Sequence, residues 1–156
     1  MDFLSASLHL AGVDRLDVAD MELLVRLENS GEAFYDLLAE RIGDEEAAVL
    51  LRRNGKEEAG HARRVLRALV LKVGDGYEAP AELSEPLPVD LPDPLDPAML
   101  ELIVAGEIDG DAGYQGWADQ EDDPEVARLL RLNGREETKH ADRLREVMAI
   151  LESRSA

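Results

Sequence analysis

The sequence predicts an all-α protein: a four-helix bundle built from two helical hairpins joined by a long crossover, the second hairpin an internal copy of the first. Apolar residues recur at helical spacing through most of the chain. Five of the seven prolines, Pro80, Pro86, Pro88, Pro92 and Pro94, crowd into residues 74–96. Most telling, Asn54-Gly55-Lys56-Glu57-Glu58-Ala59-Gly60-His61-Ala62 returns as Asn133-Gly134-Arg135-Glu136-Glu137-Thr138-Lys139-His140-Ala141, displaced by 79 residues. The hairpins are placed at about residues 17–73 and 96–152, with the crossover over 74–95, all within a single domain spanning 1–156. Two helices alone would make too poor a core for each half to stand by itself.

Residues 1 to about 16 read as a lead-in turn or helix ending near Gly12; His9 lies here without an acidic residue at helical spacing before it and reads as a packing or surface residue. Asp17 or Asp20 can cap the first long helix, which runs to Arg41-Ile42 and stops at Gly43. Its inner stripe is Leu24, Glu28, Gly31/Glu32, Tyr35 and Leu38, helical periodicity interrupted by acid. Asp44 caps the second helix, with Glu45 and Glu46 complementing the dipole in its first turn, and that helix carries Leu51, Asn54, Glu58, His61, Val65 and Leu69 to about Val73. The proline-rich segment is too long for a hairpin turn and fits a crossover that starts the second half at the opposite end. Asp96-Pro97 and Asp123-Pro124 are cap-plus-proline starts for the third and fourth helices. The third presents Leu100, Ile103, Glu107, Gly110/Asp111, Tyr114 and Trp117; the fourth presents Leu129/Leu130, Asn133, Glu137, His140, Leu144 and Val147 to about Leu151.

The formal charge of −18 argues against nucleic acid and anionic membranes, which need a basic face, and favours cations. With no cysteine there are no disulfides, thiolate sites or Fe–S clusters, and three histidines are too few for a His-rich centre. No run reaches transmembrane length, and the first residues lack the basic start of a secretory signal, so a cytoplasmic protein is expected.

Within each repeat lies a Glu-x-x-His pair, Glu58/His61 and Glu137/His140, one helical turn apart on one face. Glu28 lies 15 residues before Gly43 and Glu58 lies 14 after Asp44, so both sit at one level along the hairpin. At the helical rise that level is about 21–23 Å from the turn. Glu107 and Glu137 repeat the count, and a pseudo-twofold arrangement of the halves brings four Glu and two His together. Four carboxylates on apolar faces cannot remain buried without compensation. Two divalent cations supply +4 against −4, and carboxylate with imidazole suits iron or manganese, with zinc a further alternative. A polar layer hydrogen-bonded across the bundle, or simple exposure, is the metal-free alternative.

This arrangement resembles the ferritin-like di-metal carboxylate proteins, in which a Glu from two helices joins a Glu-x-x-His from each of the other two. The likeness covers about residues 17–152 and is nearest to rubrerythrin-like and bacterioferritin-like members. It implies Glu28, Glu58, His61, Glu107, Glu137 and His140 as ligands, Glu58 and Glu137 bridging, and reaction of two ferrous ions with hydrogen peroxide or oxygen, electrons coming from an external donor. Ala59 stands where bacterioferritins carry a haem-binding methionine, so no haem is expected. Neither a rubredoxin-like module nor a fifth bundle helix is evident. Glu32 and Asp111 read as surface or supporting acids, or as extra ligands that exchange with oxidation state. Tyr35 and Tyr114 read as core residues, or as hydroxyls that bond a ligand or pass an electron. Iron oxidation for storage or transfer, a di-manganese catalase, an oxygenase and a metal-free helical interaction protein are the alternatives; a homodimer is also an expectation.

Overall fold

The first three helices begin at aspartate caps and stop at glycines, positions that satisfy backbone groups a helix end leaves unpaired. A computed structural model describes residues 1–155. It comprises α1 (Phe3–Ala11), α2 (Val18–Ile42), α3 (Glu45–Val73), α4 (Ala98–Asp119) and α5 (Pro124–Ser155), with one 3-10 turn at Ala81–Ser84 and no strand among the described residues. The Asp17 carboxylate accepts from the Asp20 amide at 2.8 Å while the Asp20 carboxylate accepts from the Asp17 amide at 3.1 Å, a reciprocal box opening α2. Gly43 closes α2 at φ 69°, a conformation that favours glycine. Asp44 accepts from Ala47 to start α3.

Two starts and ends differ from the spacing. The Asp96 carboxylate bonds the Ala98 amide, and Pro97 takes the position before the helix rather than its first turn. α5 continues to Ser155, four residues beyond Leu151. Arg154 anchors that last turn by donating to Asp44 and Glu46 at the start of α3.

The pairs α2/α3 and α4/α5 pack as hairpins, and α3 packs against α5. Asn54 meets His140 and Asn133 meets His61, so α3 and α5 run antiparallel. Tyr35 meets Glu107 and Tyr114 meets Glu28, so α2 and α4 do the same. The crossover climbs alongside α2: Tyr77 bonds Glu22, Asn29 bonds Leu83, Leu87 bonds Ser30 and Arg41 bonds Leu91. From Glu22 to Arg41 that is about 28 Å of helix at the standard rise, and α4 therefore starts at the opposite end from α3's finish.

α1 lies against α2, with Ala6 and Leu10 buried and the Phe3 ring stacked on Phe34 at 5.0 Å. Trp117 is core, its indole donating to the Val13 carbonyl at 2.7 Å. Two apolar clusters result. One gathers Met21, Leu24, Val65, Leu69, Trp117 and Leu130; the other gathers Leu38, Leu51, Leu100, Val104, Leu144 and Val147. Between them lies a buried polar layer containing Glu28, Asn54, Glu58, His61, Asn133, Glu137 and His140. Among the described residues no helix is long and apolar enough to cross a membrane.

Candidate metal centre

The polar layer is assembled by helix periodicity. Glu58 and His61 share a face of α3, Glu137 and His140 share a face of α5, and α2 and α4 contribute Glu28 and Glu107 from the facing walls. Ligand atoms of Glu28, Glu58, His61 and Glu137 lie within 4.8 Å of one another, and so do those of Glu58, Glu107, Glu137 and His140. Glu58 and Glu137 belong to both groups.

Each central carboxylate turns one oxygen to each histidine. Glu58 Oε2 is 3.1 Å from His61 Nδ1 and its Oε1 is 3.4 Å from His140 Nδ1. Glu137 Oε1 is 3.6 Å from His61 Nδ1 and its Oε2 is 3.2 Å from His140 Nδ1. Glu28 approaches His61 Nδ1 at 3.6 Å and Glu107 approaches His140 Nδ1 at 3.8 Å. Despite this proximity, both Nδ1 atoms and the Oε2 atoms of Glu58 and Glu137 are buried without an aligned hydrogen-bond partner. Buried polar atoms are normally satisfied; here four of the five unsatisfied ones belong to the inner side of the two ligand groups, and the fifth, His140 Nε2, faces Glu57 at 3.6 Å.

No protein-family model matches the chain, and no curated protein or solved structure is significantly similar to it.

Behind the histidines stand residues that sequence reasoning did not single out. His61 Nε2 is 2.8 Å from Glu136 Oε2, and Arg64 forks onto both oxygens of Glu136 at 3.0 Å. His140 Nε2 is 3.6 Å from Glu57 Oε1, which accepts from Arg143 at 2.9 Å. Asn133 and Asn54 complete each set by accepting from the arginine and donating to the carbonyl of His61 or His140. Each motif thus braces the histidine of the other. The signal was present in the repeat, since Glu57/Glu136 and Arg64/Arg143 obey the same displacement as the glutamates and histidines.

Tyr35 donates its hydroxyl to Glu107 and Tyr114 donates to Glu28, again across the two halves. Glu32 and Asp111 lie outside both groups. Glu32 is exposed, off the buried stripe read from the sequence, although its backbone lies close to Gly55 of α3. Asp111 is held by Thr138 at 2.5 Å and Gln115 at 3.0 Å. His9 is exposed and 3.3 Å from Asp20, far along the chain from the centre.

Glycines set how closely the walls approach. A Cβ on Gly31 would sit 2.6 Å from Glu58 Cγ, and one on Gly55 would sit 3.2 Å from the backbone of Glu32. The repeated Asn-Gly thus serves close helix contact.

Burial pushes the Glu28 carboxyl up to about 8, and neighbouring Glu58 adds to the effect. Burial likewise drives Glu137 well above the carboxylate range, reinforced by Glu58, Glu107 and Glu28. At Glu58 burial opposes ionisation, but contact with His140 and His61 wins and holds it below that range. Burial disfavours the imidazolium at both histidines; the carboxylates around them, led by Glu136 at His61 and Glu107 at His140, overcome it and raise both. Burial, then the carboxylate each faces, keeps the hydroxyls of Tyr35 and Tyr114 protonated. Free of metal, these surroundings favour protons on both imidazoles and on the Glu28 and Glu137 carboxyls. The same atoms could instead hold metal ions, with those protons released.

Proposed function

We propose that the protein is a di-iron carboxylate oxidoreductase of the rubrerythrin-like type, a member of the ferritin-like fold class, reducing hydrogen peroxide or oxygen at a Glu4His2 centre. The observation that carries this reading is the sharing of Glu58 and Glu137 between two four-ligand groups, with unsatisfied donor atoms aimed into both. A polar layer designed for hydrogen bonding alone would pair those atoms instead of orphaning them.

Glu28 and His61 would hold one ion, Glu107 and His140 the other, and Glu58 and Glu137 would bridge them. Two ferrous ions bound there would supply one electron each to the overall conversion of hydrogen peroxide, two protons and two electrons into two water molecules, and an external donor would restore the electrons.

The chain's own residues perform the rest. Glu136, held by Arg64, bonds His61 Nε2 and orients that imidazole so that Nδ1 faces inward, while Glu57, held by Arg143, stands 3.6 Å from His140 Nε2. The tyrosine hydroxyls hold the outer carboxylates Glu28 and Glu107 against the opposite helix. The apolar clusters above and below exclude bulk water and strengthen every charge interaction within.

The test is metal analysis of protein purified without chelator, followed by Fe(II) loading and assay of peroxide and oxygen consumption. Iron should be retained and wild-type protein should consume oxidant, while E58Q and E137Q should lose that activity. Manganese as the retained metal, with oxygen evolved from peroxide, would move the reading to a di-manganese catalase. Unchanged turnover in both variants would remove the catalytic role.

A further inference from the structure

A cleft of about 400 Å³ opens between α3 and α5, lined by Arg63, Arg64, Arg67 and Arg128 together with Gly60, Leu129 and Leu132. Four guanidinium groups gather here in a chain with 17 basic residues against 35 acidic ones. Two carboxylates offset them. Glu136 takes Arg64 at 3.0 Å, and Glu125 takes Arg128 at 2.6 Å with Arg67 at 3.9 Å. Arg63 makes no ion pair among the described residues, so the cleft keeps a net positive charge.

The internal repeat shows which of these residues bracing the centre requires. Arg64, Glu136 and Asn133 recur as Arg143, Glu57 and Asn54, and both sets support a histidine. Arg63, Arg67, Arg128 and Gly60 instead correspond to Asp142, Glu146, Val49 and Lys139. The residues that brace the histidines are kept in both halves, whereas those that make a basic concavity exist in only one. Gly60 also leaves that concavity open, the nearest atom to an added Cβ being the Arg63 guanidinium at 3.6 Å.

We propose that this cleft binds a small multivalent oxyanion, a phosphate- or polycarboxylate-bearing molecule. Guanidinium groups match such oxygens with paired, charge-assisted hydrogen bonds. An acidic protein partner fits less well, because its approach is opposed by the −18 charge of the whole chain. A small anion enters within roughly one Debye length, about 8 Å, of the arginines, where their local charge dominates. Arg64 belongs both to the cleft and to the Glu136–His61 contact, so the bound anion lies directly behind one side of the candidate metal centre. The site itself does not rest on the identity of any metal.

The experiment is calorimetric titration of the full chain, as purified, with pyrophosphate and separately with citrate, at low and high salt. One saturable site per chain is expected, weakened by salt. R63A/R67A should bind about tenfold or more weakly, losing two charge-assisted contacts, and R63D/R67E, which copies the other half, should abolish binding. R52A/R145A, exposed arginines elsewhere, should bind as wild type. Preference for pyrophosphate assigns a phosphorylated ligand and preference for citrate a polycarboxylate. Absence of saturable uptake in wild type, or equal uptake by R63A/R67A in a variant that melts as wild type, overturns the proposal. Uptake lost equally in R52A/R145A overturns it too.

Discussion

Withdrawing and restoring divalent metal should shift thermal unfolding by an amount that grows with pH and depends on His61 and His140. A ligand bound only by the folded state at a thousandfold excess over Kd stabilises by about 4 kcal/mol. For a chain of 156 residues, each kcal/mol moves the midpoint by about 2–4 °C, so loading should raise it by roughly 8–16 °C. The pH dependence follows from the protons that metal must displace. His61 and His140 are raised in the folded state above the ordinary 6.5, so the stability they contribute without metal is complete below that value and is lost as pH rises beyond it. Glu28 is raised from 4.5 to about 8, so its contribution is complete below 4.5 and disappears as pH climbs through about 8. Glu58 is lowered, and its contribution is lost only toward acid, outside this window. Metal-free protein should therefore weaken from about pH 5.5 to pH 8, while metal, freed from proton competition, binds better. The assay is anaerobic melting of chelated and Fe(II)- or Mn(II)-loaded protein, freed of excess chelator, at fixed ionic strength across that range. H61A/H140A should abolish most of the increment, and H9A should leave it intact, because His9 is exposed and distant from the centre. An equal increment in H61A/H140A would mean that the acidic surface binds the ions. An increment that shrinks as pH rises would refute the proton bookkeeping.

Steric and bracing effects give two further tests. G31A places a methyl 2.6 Å from Glu58 Cγ, whereas G110A places one 3.6 Å from Glu137 Cγ; overpacking predicts a loss of about 1–3 kcal/mol and weaker metal binding for the first, and near-neutral melting for the second. Equal behaviour in melting and metal titration would show that the close approach of α2 to α3 is not needed. E136Q should weaken metal binding by roughly 10–100-fold by loosening His61, and E57Q should do so less, because Glu57 stands 3.6 Å from His140 where Glu136 stands 2.8 Å from His61. Competition with a colorimetric chelator measures both, and a larger effect of E57Q would reverse the proposed order.

The breaks at Gly43–Asp44, Gly74 and Asp123–Pro124 were legible because caps, positive φ and proline act on the backbone within a few residues. The level of Glu28 with Glu58 was legible for a related reason: a short turn and a constant rise convert residue counts into height. Repetition then supplied the six residues of the candidate centre. The same repetition pairs Glu32 with Asp111, whose surroundings differ. Asp111 is engaged by Thr138 and Gln115, but the corresponding residues in the first half are Ala59 and Asp36. With neither a hydroxyl nor an amide to meet it, Glu32 turns to solvent.

By itself, then, the sequence determined which residues share a helix face, where the helices break and that two Glu-x-x-His faces exist in one register, all consequences of short-range geometry. The tertiary structure decided which face meets which. Tyr35 could be placed near Glu28 on its own helix, yet its hydroxyl reaches Glu107, and Tyr114 reaches Glu28 in return. Glu136 braces His61 from another helix, and Arg128 joins Arg63 and Arg67 across the α3–α5 seam. Such pairings depend on the lateral offset of packed helices, a difference of an ångström or so between Gly31 and Gly110. That offset is set by the sum of many side-chain contacts rather than by any local stretch of chain.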